Sequence, residues 1–344
     1  MIVLILCIIP AIAGNAEEEK YLLRYGTQDV HIDYSVEEKS TLNLFADNLP
    51  LPGASVDIRD IQMRSVSIQY IEISGYDPNT DTMTMTYGMT PTPEMWLGYD
   101  FFKLPPVEDF LQELFALMNK PLSDSEMNIY QPGKILLEIT PQGELMGFDM
   151  DLPQEPGMQD DMVMGMIENY ATMLLEPDFP SDPIPVGDSW TQTIKLDQIP
   201  LAGLKPCVIN YTLKDVTKTP CGKTFCNIGF ELNWHQDLTQ FNEYVLGEKF
   251  EYYEGKEFEV ASFNPSVDVK IEGEYLMNLT AGYVVSVDAN SEFVFALETG
   301  LKKTSGHNMD EIWKPRLEYS IYTQEHAVAT AVCSGQSCDE EEGK

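Results

Sequence analysis

Basic residues are scarce in this chain. Lysine and arginine number 21 against 56 aspartates and glutamates, a net charge of −35 over 344 residues. A nucleic-acid partner needs cations to displace the counterions of its phosphates, so that partner class is excluded. An anionic membrane surface is disfavoured on the same ground. Long apolar runs are also lacking. Ile2 to Ile12 is too short to cross a bilayer, and no other stretch approaches the roughly 20 residues needed, so no transmembrane segment is expected. Histidines are few: His31, His235, His307 and His326, none with an aspartate three residues before it. The C-x2-C spacing usual for structural zinc is missing as well, and the motifs call for no metal and no cofactor.

The apolar start has its own meaning. MIVLILCIIPAIAGNA carries small-x-small steps at Ala11 to Ala13 and Gly14 to Ala16, and EEEK follows directly. Residues 1–16 read as a cleavable secretory signal peptide without the usual basic start, which places the mature chain in the periplasm or outside the cell. Leu6 is too large to precede a lipidated cysteine, which argues against anchoring through Cys7. Export permits disulfides. Cys221/Cys226 and Cys333/Cys338 share a C-x4-C spacing, and local bonds are expected at both. Cys207, beside Pro206, is expected as a buried thiol.

Period-two alternation dominates what remains. It predicts hairpins over 64–89, 135–150, 207–234 and 274–297, with apices near 79, 143, 221 and 282. The corresponding long and tight apices lie 142 and 139 residues apart, which suggests a tandem duplication of a β-rich unit. Two amphipathic helices are predicted, VEDFLQELFALM near 107–118 and DDMVMGMIENYATMLL near 160–175. The expected fold is mainly β (α+β), with two tandem, related curved antiparallel sheets, each half-barrel-like and partly covered by a helix or loop segment. The N-terminal half runs over 17–178 and the C-terminal half over 179–328, with an acidic, disordered tail over 329–344.

The tempting motifs mostly reduce to structure. In FPSDPIPVGDSW, Gly187-Asp188-Ser189 mimics a hydrolase nucleophile block, but Trp190 stands where leucine should, and WTQTIKL alternates like a strand. A serine without a positioned base is a weak nucleophile. Gly187, Asp188 and Trp190 are therefore expected to be a turn and a structural anchor. Asp77-Pro-Asn79-Thr-Asp81 starts like a calcium loop but has Thr82 and Gly88 where Gly and Glu are required, so a hairpin turn is expected. Met83, Met85 and the Met162/Met166 pair read as core filler. EKFEYYEGKEFE, residues 248–259, reads as a solvated strand face. The sequons at Asn210 and Asn278 fall in expected strands and read as chance.

LEPDFPSDPIPVGDSW, INYTLKDV and GEYLMNLTAGYVVSVD together resemble an uncharacterised group of exported bacterial proteins, many of them lipoproteins, over roughly residues 130–300. Those proteins carry a P-x-x-P-V-x-V-G-D-x-W-like block. The resemblance implies a strand-rich exported protein and transfers no activity. A helix over a curved sheet leaves an apolar cleft between the layers. Phe110, Leu114, Met118, Met162, Met166, Tyr170 and Met173 are its candidate lining. The leading reading is a non-enzymatic binding or scaffold protein of the cell envelope, with an apolar small molecule or lipid as candidate ligand and any protein partner unknown. A secreted hydrolase using Ser189 or paired carboxylates is a second reading. An acidic surface protein that binds divalent cations diffusely is a third.

Overall fold

The structure, a computed structural model, describes residues 19–48, 55–90, 134–151, 177–194, 204–241, 246–247, 249–252, 256–304, 312–334 and 337–339. Apart from one short 3-10 turn at Thr239–Phe241, its regular elements are strands. The first half supplies β1 (Lys20–Tyr21), β2 (Val30–Asp47), β3 (Val56–Asp77), β4 (Thr82–Thr90), β5 (Lys134–Ile139) and β6 (Leu145–Asp151). The second supplies β7 (Ile184–Pro185), β8 (Ser189–Ile194), β9 (Cys207–Lys218), β10 (Thr224–Asp237), β11 (Lys249–Tyr252), β12 (Lys256–Asn278), β13 (Tyr283–Lys303), β14 (Ile312–Trp313), β15 (Arg316–Ser334) and β16 (Ser337–Asp339). All four predicted hairpins are present, as β3–β4, β5–β6, β9–β10 and β12–β13.

The halves do not form two sheets. A single 14-stranded antiparallel sheet runs β6-β5-β4-β3-β2-β15-β13-β12-β10-β9-β8, with β11, β14 and β16 attached beside it. The joint is the pairing of β2 with β15, in register from Val30↔Ser334 to Arg316↔Asp47. The two strands are long and alternate over their whole length. Each therefore offers the other a full ladder, and no free edge is left between the halves. The expected disordered tail from residue 329 is corrected at the same place. Ala329 and Val332 are buried at 4% and 9% exposure, so β15 continues the core face through residues that read as tail.

Alternation sorts the two faces. On β2, Val30, Ile32, Tyr34 and Val36 are buried, while His31, Asp33, Ser35 and Glu37 between them keep solvent contact. Register carries this inner face across the sheet to Ile73, Ala327, Tyr275, Ile228 and Leu213. These residues join one core that also includes Met83, Met85, Leu137 and Ile139 from the opposite wing. Both wings share a core, so the sheet curls at this base end, although edges β6 and β8 are not paired with each other.

A strap closes the base. Tyr25 N donates to Pro141 O at 2.7 Å and Gly26 N to Gly282 O at 2.8 Å, which clamps the β5–β6 and β12–β13 turns together. Phe179 N donates to Gln142 O at 2.6 Å, and β1 pairs with β7. Within the β12–β13 turn the Asn278 side chain is 2% exposed and accepts from Thr280 N and Ala281 N, both at 3.1 Å. That role as a turn cap leaves it no access for a glycan in the folded chain.

Candidate functional site

The five longest strands outrun the base core. Beyond Val36, Ala327 and Val287 the inner face meets a narrow polar belt and then turns apolar again. The belt contains Glu38 and Ser40 on β2, Thr323 and Glu325 on β15, and Ser291 on β13, neighbours by register. Past it the inward positions are Leu42 and Leu44, Tyr319 and Ile321, Phe293, Phe295 and Leu297, and Val267 and Val269. All of these are half-buried, and among the described residues no second layer lies over them. A small cluster of Phe258, Val260 and Leu301, with Phe263 and Trp313 packed on it, ends the face at its far end. Phe258 is 1% exposed while Glu257 is exposed beside it, so at this end of 248–259 the strand turns an aromatic inward and an acid to solvent. Among the described residues the result is a trough, closed at the base and apolar along its floor beyond the polar belt.

Charge divides the two sides of this sheet. The outer face carries Lys214–Glu274 at 2.6 Å, Lys270–Glu292 at 3.2 Å and His235–Asp268 at 2.8 Å. It also carries His326–Asp288 at 2.5 Å and Arg64–Glu37 at 2.8 Å. An open groove of about 260 Å³ lies among these groups, walled by Glu37, Lys39, Asp288, Asn290, Gln324 and His326, with Ala289 and Glu325 also bordering it. Its polar walls largely satisfy one another, and we read it as a gap between rows of long side chains. On the inner face the buried polar groups are bonded internally. Ser40 Oγ lies 2.9 Å from both Glu38 Oε1 and Thr323 Oγ1, and Gln236 Oε1 accepts from Lys205 N at 2.8 Å.

Several expectations meet the structure directly. Gly187 takes a φ of +94°, a left-handed turn that glycine tolerates. Gly187 N and Asp188 O bond to Leu213 O and N at 2.7 and 3.0 Å, which seats the turn on β9. Trp190 stacks on Tyr211 with centroids 5.3 Å apart, and its Nε1 donates to Asp178 O at 2.8 Å. With Tyr25 and Phe179 it makes an aromatic row under the base. These contacts tie the turn and the indole to β9 and to the strap. Ser189 is exposed at the start of β8, its Oγ 2.8 Å from Thr212 Oγ1, and the hydrogen bonds and ion pairs of His31, His235 and His326 go to aspartates elsewhere. Asp77 accepts from Asn79 N at 2.8 Å, so the calcium-like stretch is the β3–β4 turn. Met83 and Met85 are each 1% exposed in the core.

The candidate lining Phe110, Leu114, Met118, Met162, Met166, Tyr170 and Met173 lies outside the described residues, as do both predicted helices. The trough floor escaped the reading that placed the ligand beneath helices. Its signal was present as the alternation of FVFAL and RLEYSI, but alternation alone does not say which strands share a face.

The first disulfide expectation is corrected. Cys221 is exposed at the β9–β10 turn, whereas Cys226 is buried on the inner face, and both are free. The turn displays one thiol while the strand pleat points the other into the core. Burial pushes the Cys226 thiol up to about 12 and the Cys207 thiol up to about 11. Cys221 is held below the ordinary thiol value, chiefly by its contact with Thr219, whose Oγ1 lies 3.0 Å from Sγ. Among these three, iodoacetamide at pH 7.5 should label Cys221 in the native protein, and Cys207 and Cys226 only after denaturation, as peptide mass spectrometry would show. Cys333 and Cys338 are register partners on β15 and β16.

No family model and no curated protein matches the chain. Among solved structures, one of lipovitellin and its lipid–protein interactions aligns at 11% identity and a TM-score of 0.35, covering 93% of this chain and 27% of that one. This chain thus spans about a quarter of the lipovitellin chain's length. The outer membrane protein OprG from Pseudomonas aeruginosa aligns at 8% identity and a TM-score of 0.19, covering 92% of this chain and 100% of that one. An outer membrane channel of the COG4313 group from Pseudomonas putida F1 aligns at 6% identity and a TM-score of 0.15, covering 90% of this chain and 97% of that one.

Proposed function

We propose that the protein is a non-enzymatic binding or scaffold protein of the cell envelope that holds an apolar, lipid-like ligand along the inner face of its sheet. One observation carries the reading. In a chain of net charge −35, the floor between the polar belt and the far cluster is aliphatic and aromatic, while the outer face of the same strands carries charged pairs. Water gains little from such a floor, and hydrocarbon chains would release it at roughly 25 cal/mol per Å² covered. The covering helices and the duplicated ancestry of the two halves belong to the same proposal. So does export, which the first sixteen residues and the resemblance to exported bacterial proteins support. The contact of Ser189 with Thr212, and the pairing of His31, His235 and His326 with aspartates elsewhere, support the non-enzymatic half of the reading.

The test uses the full chain and diphenylhexatriene, an uncharged apolar probe. Saturable binding is expected, weakened more than tenfold by Phe293→Glu, because an unpaired charge on the floor opposes an apolar occupant. Absence of saturable binding in the wild type, or a Phe293→Glu variant that is folded by circular dichroism and binds equally well, would overturn the proposal.

A further inference from the structure

The polar belt holds two carboxylates on the inner face, and among the described residues no cation is paired with either. Glu38 and Glu325 are register partners across the β2–β15 joint, on the same face as buried Val36 and Ala327. Neighbouring cations and imidazoles are turned the other way: Lys39 pairs with Glu37 at 3.1 Å and His326 with Asp288 at 2.5 Å, both on the outer face. By register β13 brings Ala289 and Ser291 beside the pair, and β3 brings positions 63, 65 and 67, a methionine and two serines, none of a titratable type. Among the described residues, then, the charge that faces each of these carboxylates is the other one. Like charges directly opposite each other on adjacent strands repel. Ser40 fixes the Glu38 side through its 2.9 Å contact and is itself 4% exposed.

We propose that the Glu38–Glu325 pair makes occupancy of the trough pH-dependent, with acid favouring the bound state. The inference rests on the apolar-ligand reading above and adds its regulation. An apolar occupant lying over the belt removes water from two adjacent carboxylates, and a desolvated like-charge pair cannot keep both charges. The bound state therefore takes up a proton from solution. By linkage, affinity is greatest below the pair's titration range and falls as pH rises through it. The free protein already leans this way: Glu325 is held above the ordinary glutamate value, first by the protein crowding around it and then by Glu38. The trough still leaves its side chain open to solvent, so the larger displacement waits for an occupant.

The measurement is diphenylhexatriene binding to the full chain between pH 5 and 8, with wild type, Glu325→Gln and the Glu38→Gln/Glu325→Gln double variant. The probe has no titratable group. Wild-type affinity should fall about tenfold over this range, the change expected for one pKa unit of coupling to a single proton. The double variant should bind at pH 8 as tightly as wild type binds at pH 5, with a flat profile. A wild-type slope that persists in the folded double variant overturns the inference and leaves the apolar-ligand reading standing. Failure of the probe to bind at any pH overturns both.

Discussion

Gly282→Ala should be among the most damaging single substitutions in this protein. Gly282 sits at a φ of +75°, and a Cβ there would lie 2.0 Å from Gly26 N and 2.7 Å from Tyr25 C. Those atoms are backbone, so no side chain can swing aside to make room. Gly26 cannot retreat freely, since its own missing Cβ faces Ala281 O at 2.2 Å and its amide bonds to Gly282 O. The methyl group must push the strap off the β12–β13 turn. That would also disturb the Tyr25 contacts to Pro141 and Pro177 that hold the opposite wing. We expect a loss of about 4 kcal/mol, combining left-handed strain with a broken backbone clamp. Urea unfolding should show it as a lowered midpoint. Gly222→Ala is the control. It too has a positive φ, +87°, but nothing lies within 4 Å of its Cβ position, so it should cost only about 1 kcal/mol. Equal losses at the two sites would show that the strap does not bear on stability.

Trp190→Ala should cost about 3 kcal/mol, near the lower end for a large aromatic because the indole is only half-buried. The substitution removes the stack on Tyr211 and leaves Asp178 O without its donor. Trp190→Phe separates the two contributions. It keeps the ring contact and loses the 2.8 Å hydrogen bond, for about 1 kcal/mol. The Asp178 carboxyl is held above its ordinary value by burial and then by Glu144. The folded state therefore favours its protonated form, and this residue's contribution to stability improves as pH falls toward its unfolded value. Denaturation midpoints for the three proteins at fixed pH check the ranking. If alanine and phenylalanine were equally costly, the hydrogen bond would carry the anchor and the stack would not.

Both predictions concern the base, and the base is where the chain's two halves are held together. The trough above it has the opposite character. Among the described residues its floor leaves apolar groups only half-buried across β2, β15, β13 and β12, where they gain less from burial than the base core does.

Much of this was legible in the chain. The period of RSVSIQYIEIS, of CVINYTLKDV and of EYLMNLT before YVVSVD placed all four hairpins, because a two-residue alternation has a single local solution. Gly187 and Trp190 were legible for a similar reason: a glycine before a strand is a turn, and a tryptophan at its start seeks a partner. Pairing between distant strands was not legible. Nothing local tells Val30–Asp47 that its neighbour is Arg316–Ser334, since any long alternating strand would serve, and only the closing of the base selects this one. The same holds for Glu38 and Glu325, two ordinary surface-type glutamates until the ladder sets them side by side on an apolar face. It holds equally for Cys221 and Cys226, whose spacing suggested a bond that the strand pleat prevents. Alternation is a property of neighbours along the chain and was written in the sequence. Which strand meets which, and therefore which charges and apolar groups share a surface, depends on contacts between residues hundreds of positions apart, and only the folded sheet decided it.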